Sequence, residues 1–128
     1  MSRPKAIIDS SIWLEVFCVG PLARQCQSVM NSHQILAVPT IVIFEVYRKI
    51  TKTLGEDQAL TPIAFLKNHG VMDFTEELAL LAADLSLEFR LGMADSMVLA
   101  HATGNRATLI TLDNDFSGIP GAIVVRQK

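Results

Sequence analysis

Short apolar runs alternate with longer stretches of helical periodicity along the whole of this chain. Ala6-Ile7-Ile8 reads as the heart of a first strand, from Lys5 to Asp9. Ser10 to about Val19 reads as a helix with Ser10 or Ser11 at its N-cap, ended by Gly20-Pro21. A second helix runs from about Leu22 to Met30, and Ile35 to Val38 is a strand. Pro39-Thr40 opens a helix that reaches Leu54 and stops at Gly55. Its apolar stripe is read as Ile43, Phe44, Tyr47, Ile50 and Leu54. Glu56 to Asn68 is a further helix, interrupted or started near Pro62, and Val71 to Phe74 is a short strand. Thr75 caps a helix whose first turn carries Glu76 and Glu77, with Leu78, Leu81, Ala82, Leu85 and Phe89 as its buried stripe. Gly92 breaks the chain before Met93 to Thr103, a helix apolar almost all round and therefore central. Gly104-Asn105 ends it. Ala107 to Thr111 and Ala122 to Val125 are the last strands. Alternation of this kind is the sequence form of βαβ units. It predicts an α/β fold with a central parallel sheet of four to five strands.

Composition narrows the class. The 128 residues predict one domain, and half are apolar, enough for a full core. No stretch approaches the ~20 apolar residues of a membrane span, and the start lacks a signal peptide's apolar run, so a soluble, cytoplasmic protein is expected. Cys18 and Cys26 are the only cysteines and form no metal-binding pattern; two buried thiols are expected. The net charge of −2 argues against a nucleic-acid binder at first sight. The balance changes when Asp9, Glu45, Asp95 and Asp113 are set aside. Of 13 acids, nine then remain against 11 Lys and Arg.

Those four acids stand in telling places. Asp9 follows the first strand directly, and Asp113, trailed by Asp115, follows Thr108-Leu109-Ile110-Thr111-Leu112. In an open parallel sheet, ligands bind outside the carboxyl ends of the strands. Asp95 falls in the first turn of the most apolar helix, where a carboxylate needs the helix dipole or a metal beside it. Glu45 lies off the core stripe of its helix and shares a face with Arg48, Lys49 and Lys52. Carboxylates held close resist ionising, and a divalent cation removes that penalty. Mg²⁺ takes oxygen ligands and keeps several waters, so two to four carboxylates suffice to hold it. Taken singly, each acid has a plainer reading: a turn, a cap, or an exposed i,i+4 pair. The argument rests on the set.

Four stretches carry a family resemblance: Ala6-Ile7-Ile8-Asp9-Ser10-Ser11, Val38-Pro39-Thr40-Ile41-Val42-Ile43-Phe44-Glu45-Val46, Gly92-Met93-Ala94-Asp95-Ser96-Met97-Val98-Leu99-Ala100, and Thr111-Leu112-Asp113-Asn114-Asp115-Phe116. In this order the chain resembles the PIN-domain nucleases, most closely the VapC-like toxins of type II toxin–antitoxin pairs. The resemblance implies a three-layer α/β/α sandwich over residues 1–128. It implies Mg²⁺ or Mn²⁺ held by Asp9, Glu45, Asp95 and Asp113, with Asp115 as a less regular fifth acid acting through water. It implies that Ser10, Ser11 and Thr111 orient the first and last acids. It further implies endoribonuclease activity on an RNA substrate, a small antitoxin partner and a homodimer.

Other residues are weaker candidates. Arg48, Lys49 and Lys52 flank Glu45 and are the first choice for phosphate contacts; a solvated helix face is the alternative. His33, His69 and His101 have no zinc-site spacing. Asp84 and Glu88 read as a solvated pair. Trp13, Leu14 and Phe17 read as core, or as the lining of a groove for a partner peptide. The competing functions are an inactive PIN-like module that binds RNA or protein, and a phosphoryl-transfer domain. A receiver would want a Lys after a late strand and a phosphorylatable Asp after a middle one, and a dehalogenase-type phosphatase would want Asp where Ser11 stands.

Overall fold

A computed structural model describes residues 2–126. Its first strand, β1 (Lys5–Ile8), leads directly into helix α1 (Ser10–Phe17), and α2 (Ala23–Asn31) follows. Two short strands come next, β2 (Gln34–Ile35) and β3 (Val38–Pro39), then the long helices α3 (Thr40–Leu54) and α4 (Glu56–Asn68). After β4 (Val71–Met72), helices α5 (Glu76–Phe89) and α6 (Met93–Gly104) form a pair, and β5 (Thr108–Thr111), a 3₁₀ turn (Asn114–Phe116) and β6 (Ala122–Val124) complete the order. A four-stranded parallel sheet, ordered β2-β1-β5-β6, lies at the centre with helices around it, as the alternation predicts. Among the described residues, no helix is long and apolar enough to cross a membrane.

The central pair of strands positions everything else. Ala6, Ile7 and Ile8 lie opposite Thr108, Leu109 and Ile110 in parallel register. Ile7, Leu109 and Ile110 are fully buried, as expected of strands covered on both faces. The pairing carries one step beyond the strand, because the Asp9 N–H donates to the Ile110 carbonyl at 2.9 Å. Helix α6 packs on both strands, and Val98, Leu99, Ala100 and Ala102 are all buried. This is the central helix its all-round apolar sequence predicts.

Several sequence expectations need correction. The strand expected over 35–38 is two pieces in two sheets. Leu36 still donates to the Ala6 carbonyl, but Val38 donates to the Gly70 carbonyl. The chain changes neighbours between them, and β3 pairs with β4 apart from the main sheet. Helix α1 has Asp9, not a serine, at its N-cap position, and α4 runs through Pro62 without a break. Cys26 is buried, but Cys18 is exposed. His101 is fully buried, its ring against Phe74.

The largest correction concerns α3. Its buried residues are Val42, Val46 and Ile50, spaced i, i+4, i+8. Phe44 is 60% exposed and Tyr47 39%. The aromatic residues suggested a stripe, yet a narrower line of β-branched side chains one step away fits the tight contact between α3, α4 and α1. A direct test follows. Ile50→Ala should cost about 2–5 kcal/mol of stability by opening a core cavity, whereas Phe44→Ala should stay within about 0.5 kcal/mol, as at an ordinary surface site. Urea unfolding midpoints measure both.

Candidate active site

Strand ends and helix starts deliver the acids to one place. Asp9 leaves the carboxyl end of β1 and Asp113 that of β5, the neighbouring strand. Asp95 stands in the first turn of α6, and Glu45 in the second turn of α3. Asp113 caps the 3₁₀ turn, accepting a 2.9 Å hydrogen bond from the Asp115 N–H, so the turn carries Asp115 alongside. One carboxylate oxygen from each of Asp95, Asp113 and Asp115 lies within 4.8 Å of the other two. Asp9 and Glu45 are outside that tight trio but within electrostatic reach. Asp9 feels Asp113, Asp95 feels Asp9, and Glu45 feels both Asp9 and Asp95.

Asp9 is the most buried of the set, 7% exposed, and it is held by hydroxyls. Its Oδ2 accepts from Thr111 Oγ1 at 2.7 Å and from Ser11 Oγ at 2.9 Å. The two hydroxyls are themselves tied to the loop after β5. Leu112 N–H donates to Ser11 Oγ, and Asp113 N–H donates to Thr111 Oγ1, each at 3.0 Å. Thus the β5 loop and the Asp9 carboxylate are fixed by the same pair of side chains. Ser10, next in the chain, lies close enough to Glu45 for its hydroxyl to favour the ionised carboxylate.

Electrostatics oppose this gathering. Burial pushes the Asp95 carboxyl up to about 6, aided by the charges of Asp113, Asp9 and Asp115. Burial likewise raises Asp9, against the lowering effect of Thr111, Ser11 and the Ser10 N–H. Glu45 is raised by burial and by Asp9. Each shift favours the neutral form. What would relieve the cluster is positive charge, and its donors are all carboxylate oxygens with no histidine or thiol among them. That donor chemistry suits a hard divalent cation such as Mg²⁺ or Mn²⁺.

The sequence candidates divide clearly. Asp9, Glu45, Asp95, Asp113 and Asp115 come together, with Ser10, Ser11 and Thr111 supporting them. Arg48 and Lys49 line a hollow with Ser10, Leu14, Phe44 and Glu45, whereas Lys52 lies farther along α3. His33, His69 and His101 take no part; the His33 ring bonds the Val29 carbonyl. Asp84 and Glu88 are exposed on α5. Trp13 is buried and stacks on Phe17, with ring centroids 5.7 Å apart; together with Met30, Ile35 and Phe65 they line a groove between α1, α2 and α4. Sequence reasoning missed the exposed aromatics beside Glu45, because it assigned them to the core. The competing line of Val42, Val46 and Ile50 was the signal that could have found them.

Comparison with known proteins agrees with this geometry. Residues 6–122 match the family model of the PIN domain. The chain belongs to the PIN domain family. A chain of a toxin–antitoxin complex from Klebsiella pneumoniae is 25% identical and superimposes with a TM-score of 0.79, over 96% of this chain and 99% of that one. The Mycobacterium tuberculosis toxin VapC20, described as cleaving the sarcin–ricin loop, shares the fold at 17% identity and a TM-score of 0.75, over 95% and 99% of the two chains. A chain of VapBC2 from Rickettsia felis, bound to a promoter DNA fragment, does so at 19% and 0.72, over 94% and 96%. No curated protein matches by sequence.

The raised Asp95 carboxyl makes a pH prediction for this PIN domain. Its folded value, about 6, exceeds the unfolded 3.8, so the folded state binds more protons between these values. The stabilising effect of its protonated form is complete below about pH 4 and fades as pH rises through 6. Metal-free protein should therefore lose stability from this group between pH 4 and 7, and Asp95→Asn should flatten that slope. Thermal melts in EDTA across this range, wild type against variant, provide the comparison.

Proposed function

We propose that this chain is a divalent-metal-dependent endoribonuclease, the toxin of a toxin–antitoxin pair. The observation that carries the proposal is the approach of Asp95, Asp113 and Asp115 within 4.8 Å, with Asp9 and Glu45 in electrostatic contact. Membership of the PIN domain family and the similarity to toxin–antitoxin proteins support it.

In this reading Asp9, Glu45, Asp95 and Asp113 hold Mg²⁺ or Mn²⁺, and Asp115 contributes from the exposed rim. The ion, when bound, supplies activation of water and compensation for charge developing on a phosphodiester. The chain's own residues do the rest. The hydroxyls of Thr111 and Ser11 hold the Asp9 carboxylate in place and offset part of the burial that disfavours its ionised form. The Asp113 turn holds the last acids in one orientation. Arg48 and Lys49, beside Glu45, draw the RNA backbone towards a site whose net charge would otherwise repel it.

The partner in this reading is a small antitoxin. The apolar groove over Trp13, Phe17 and Phe65 offers it a seat on the α1–α2–α4 side. A homodimer has other apolar side chains available, among them the exposed Leu80, Leu87 and Met93.

Purified protein should cut RNA with Mg²⁺ or Mn²⁺ and stop on addition of EDTA. Asp9→Asn and Asp95→Asn should each lower the rate by more than about 100-fold, beyond the loss typical of changes around a metal's outer sphere. Cutting that survives both EDTA and these substitutions would remove the proposal. A second measurement addresses the cations. Neutralising Arg48, Lys49 and Lys52 together should reduce the salt slope of single-stranded RNA binding by up to about 2, given ~0.7 per phosphate contact. An unchanged slope takes all three out of the interface.

A further inference from the structure

Helix α3 buries Val42, Val46 and Ile50, yet it also carries two large aromatic side chains that its packing does not use. Phe44 and Tyr47 stand one turn apart on its outer side. Phe44 and Arg48 each line two neighbouring hollows. The first includes Ser10 and Glu45, and so reaches the acidic cluster. The second continues along the helix over Tyr47, Thr51 and Lys52. An apolar surface and cations along its margin therefore lie in one strip leading out of the site.

We propose that Phe44, extended by Tyr47, is a stacking shelf that holds an unpaired base of the RNA next to the phosphodiester being cut. The inference rests on the endoribonuclease reading and names the residues that position the substrate for it. Exposed aromatic rings beside a positively charged track are the features by which proteins hold single strands, because every base offers a π-face. Arg48 and Lys52 meet the phosphates, and the rings meet the bases. A second copy of this chain fits the strip less well. A two-fold axis across this face would set Arg48, Lys49 and Lys52 against their own counterparts, and Glu45 is the helix's only acid. Phe44 is a positioning residue here, while the acids remain the reacting site.

The test uses Asp9→Asn protein, so that RNA is bound without being cut, and a short single-stranded RNA carrying the fluorescent base 2-aminopurine at successive positions. One position should be strongly quenched on binding. Adding Phe44→Leu should abolish that quenching and weaken binding roughly tenfold, the scale of one lost base stack. Phe44→Trp should restore both. In otherwise wild-type protein, Phe44→Leu should raise KM for a single-stranded RNA more than it lowers kcat. Quenching and affinity that survive Phe44→Leu and Tyr47→Ala would overturn the shelf. So would Phe44→Leu acting only by changing the sedimentation of the free protein, which would mark the face as a contact between copies. The two readings fail separately. Protein that quenches the base but never cuts RNA defeats the nuclease assignment, and protein that cuts normally with Phe44→Leu defeats the shelf alone.

Discussion

The structure depends on holding like charges together. Five carboxylates lie in one region, and every shift among Asp9, Glu45 and Asp95 is upward, the direction that repulsion and burial demand. Their gathering is enforced by the strongest part of the framework. Strands β1 and β5 are paired in the fully buried centre of the sheet, and α6 lies across both. Hydrophobic burial in that core sets the acids' positions, and the hydroxyls of Ser11 and Thr111 offset part of the desolvation of Asp9. The fold is in this sense loaded, with core packing opposing site electrostatics. Positive charge at the site would relieve that opposition.

Most of the framework was legible in the chain because its signals are local. Ile7, Ile8, Leu109 and Ile110 sit in short apolar runs that only a covered strand explains, and the all-round apolar α6 could only be central. The Thr75 cap is real, its hydroxyl accepting from the Leu78 N–H. Asp9 and Asp113 were recognisable as strand-end acids, and their convergence followed from the rule for parallel sheets. What was not legible depended on tertiary competition. The division of 34–39 between two sheets reflects which neighbour each residue meets. The true buried line of α3 was obscured because Phe44 and Tyr47 are larger than the valines that pack. Size marks an aromatic residue as a core candidate only when no closer-fitting face exists.

The aromatic surfaces on the two sides of the molecule differ in kind. The Trp13 groove is lined mainly by apolar side chains and lies between helices, as suits a protein segment. The α3 strip is open and bordered by cations, and it is continuous with the acids. In the proposed reading, partner and substrate have separate approaches, on α1, α2 and α4 in the first case and along α3 in the second. Helix α1 joins them, since Trp13 and Phe17 face the groove while Ser10 and Ser11 face the site. Occupancy of the groove has a short covalent path to the hydroxyl that holds Asp9.

The sequence distance between β1 and β5 has a consequence for biosynthesis. Asp9 is made about a hundred residues before its cross-strand hydroxyl partner, Thr111, and the acids at 113 and 115, and the β1–β5 pairing closes only after them. A nascent chain halted before that point has no assembled pocket. Translation thereby separates synthesis of the first acid from assembly of the cluster. The five acids can share one pocket only after nearly all of the domain has been made.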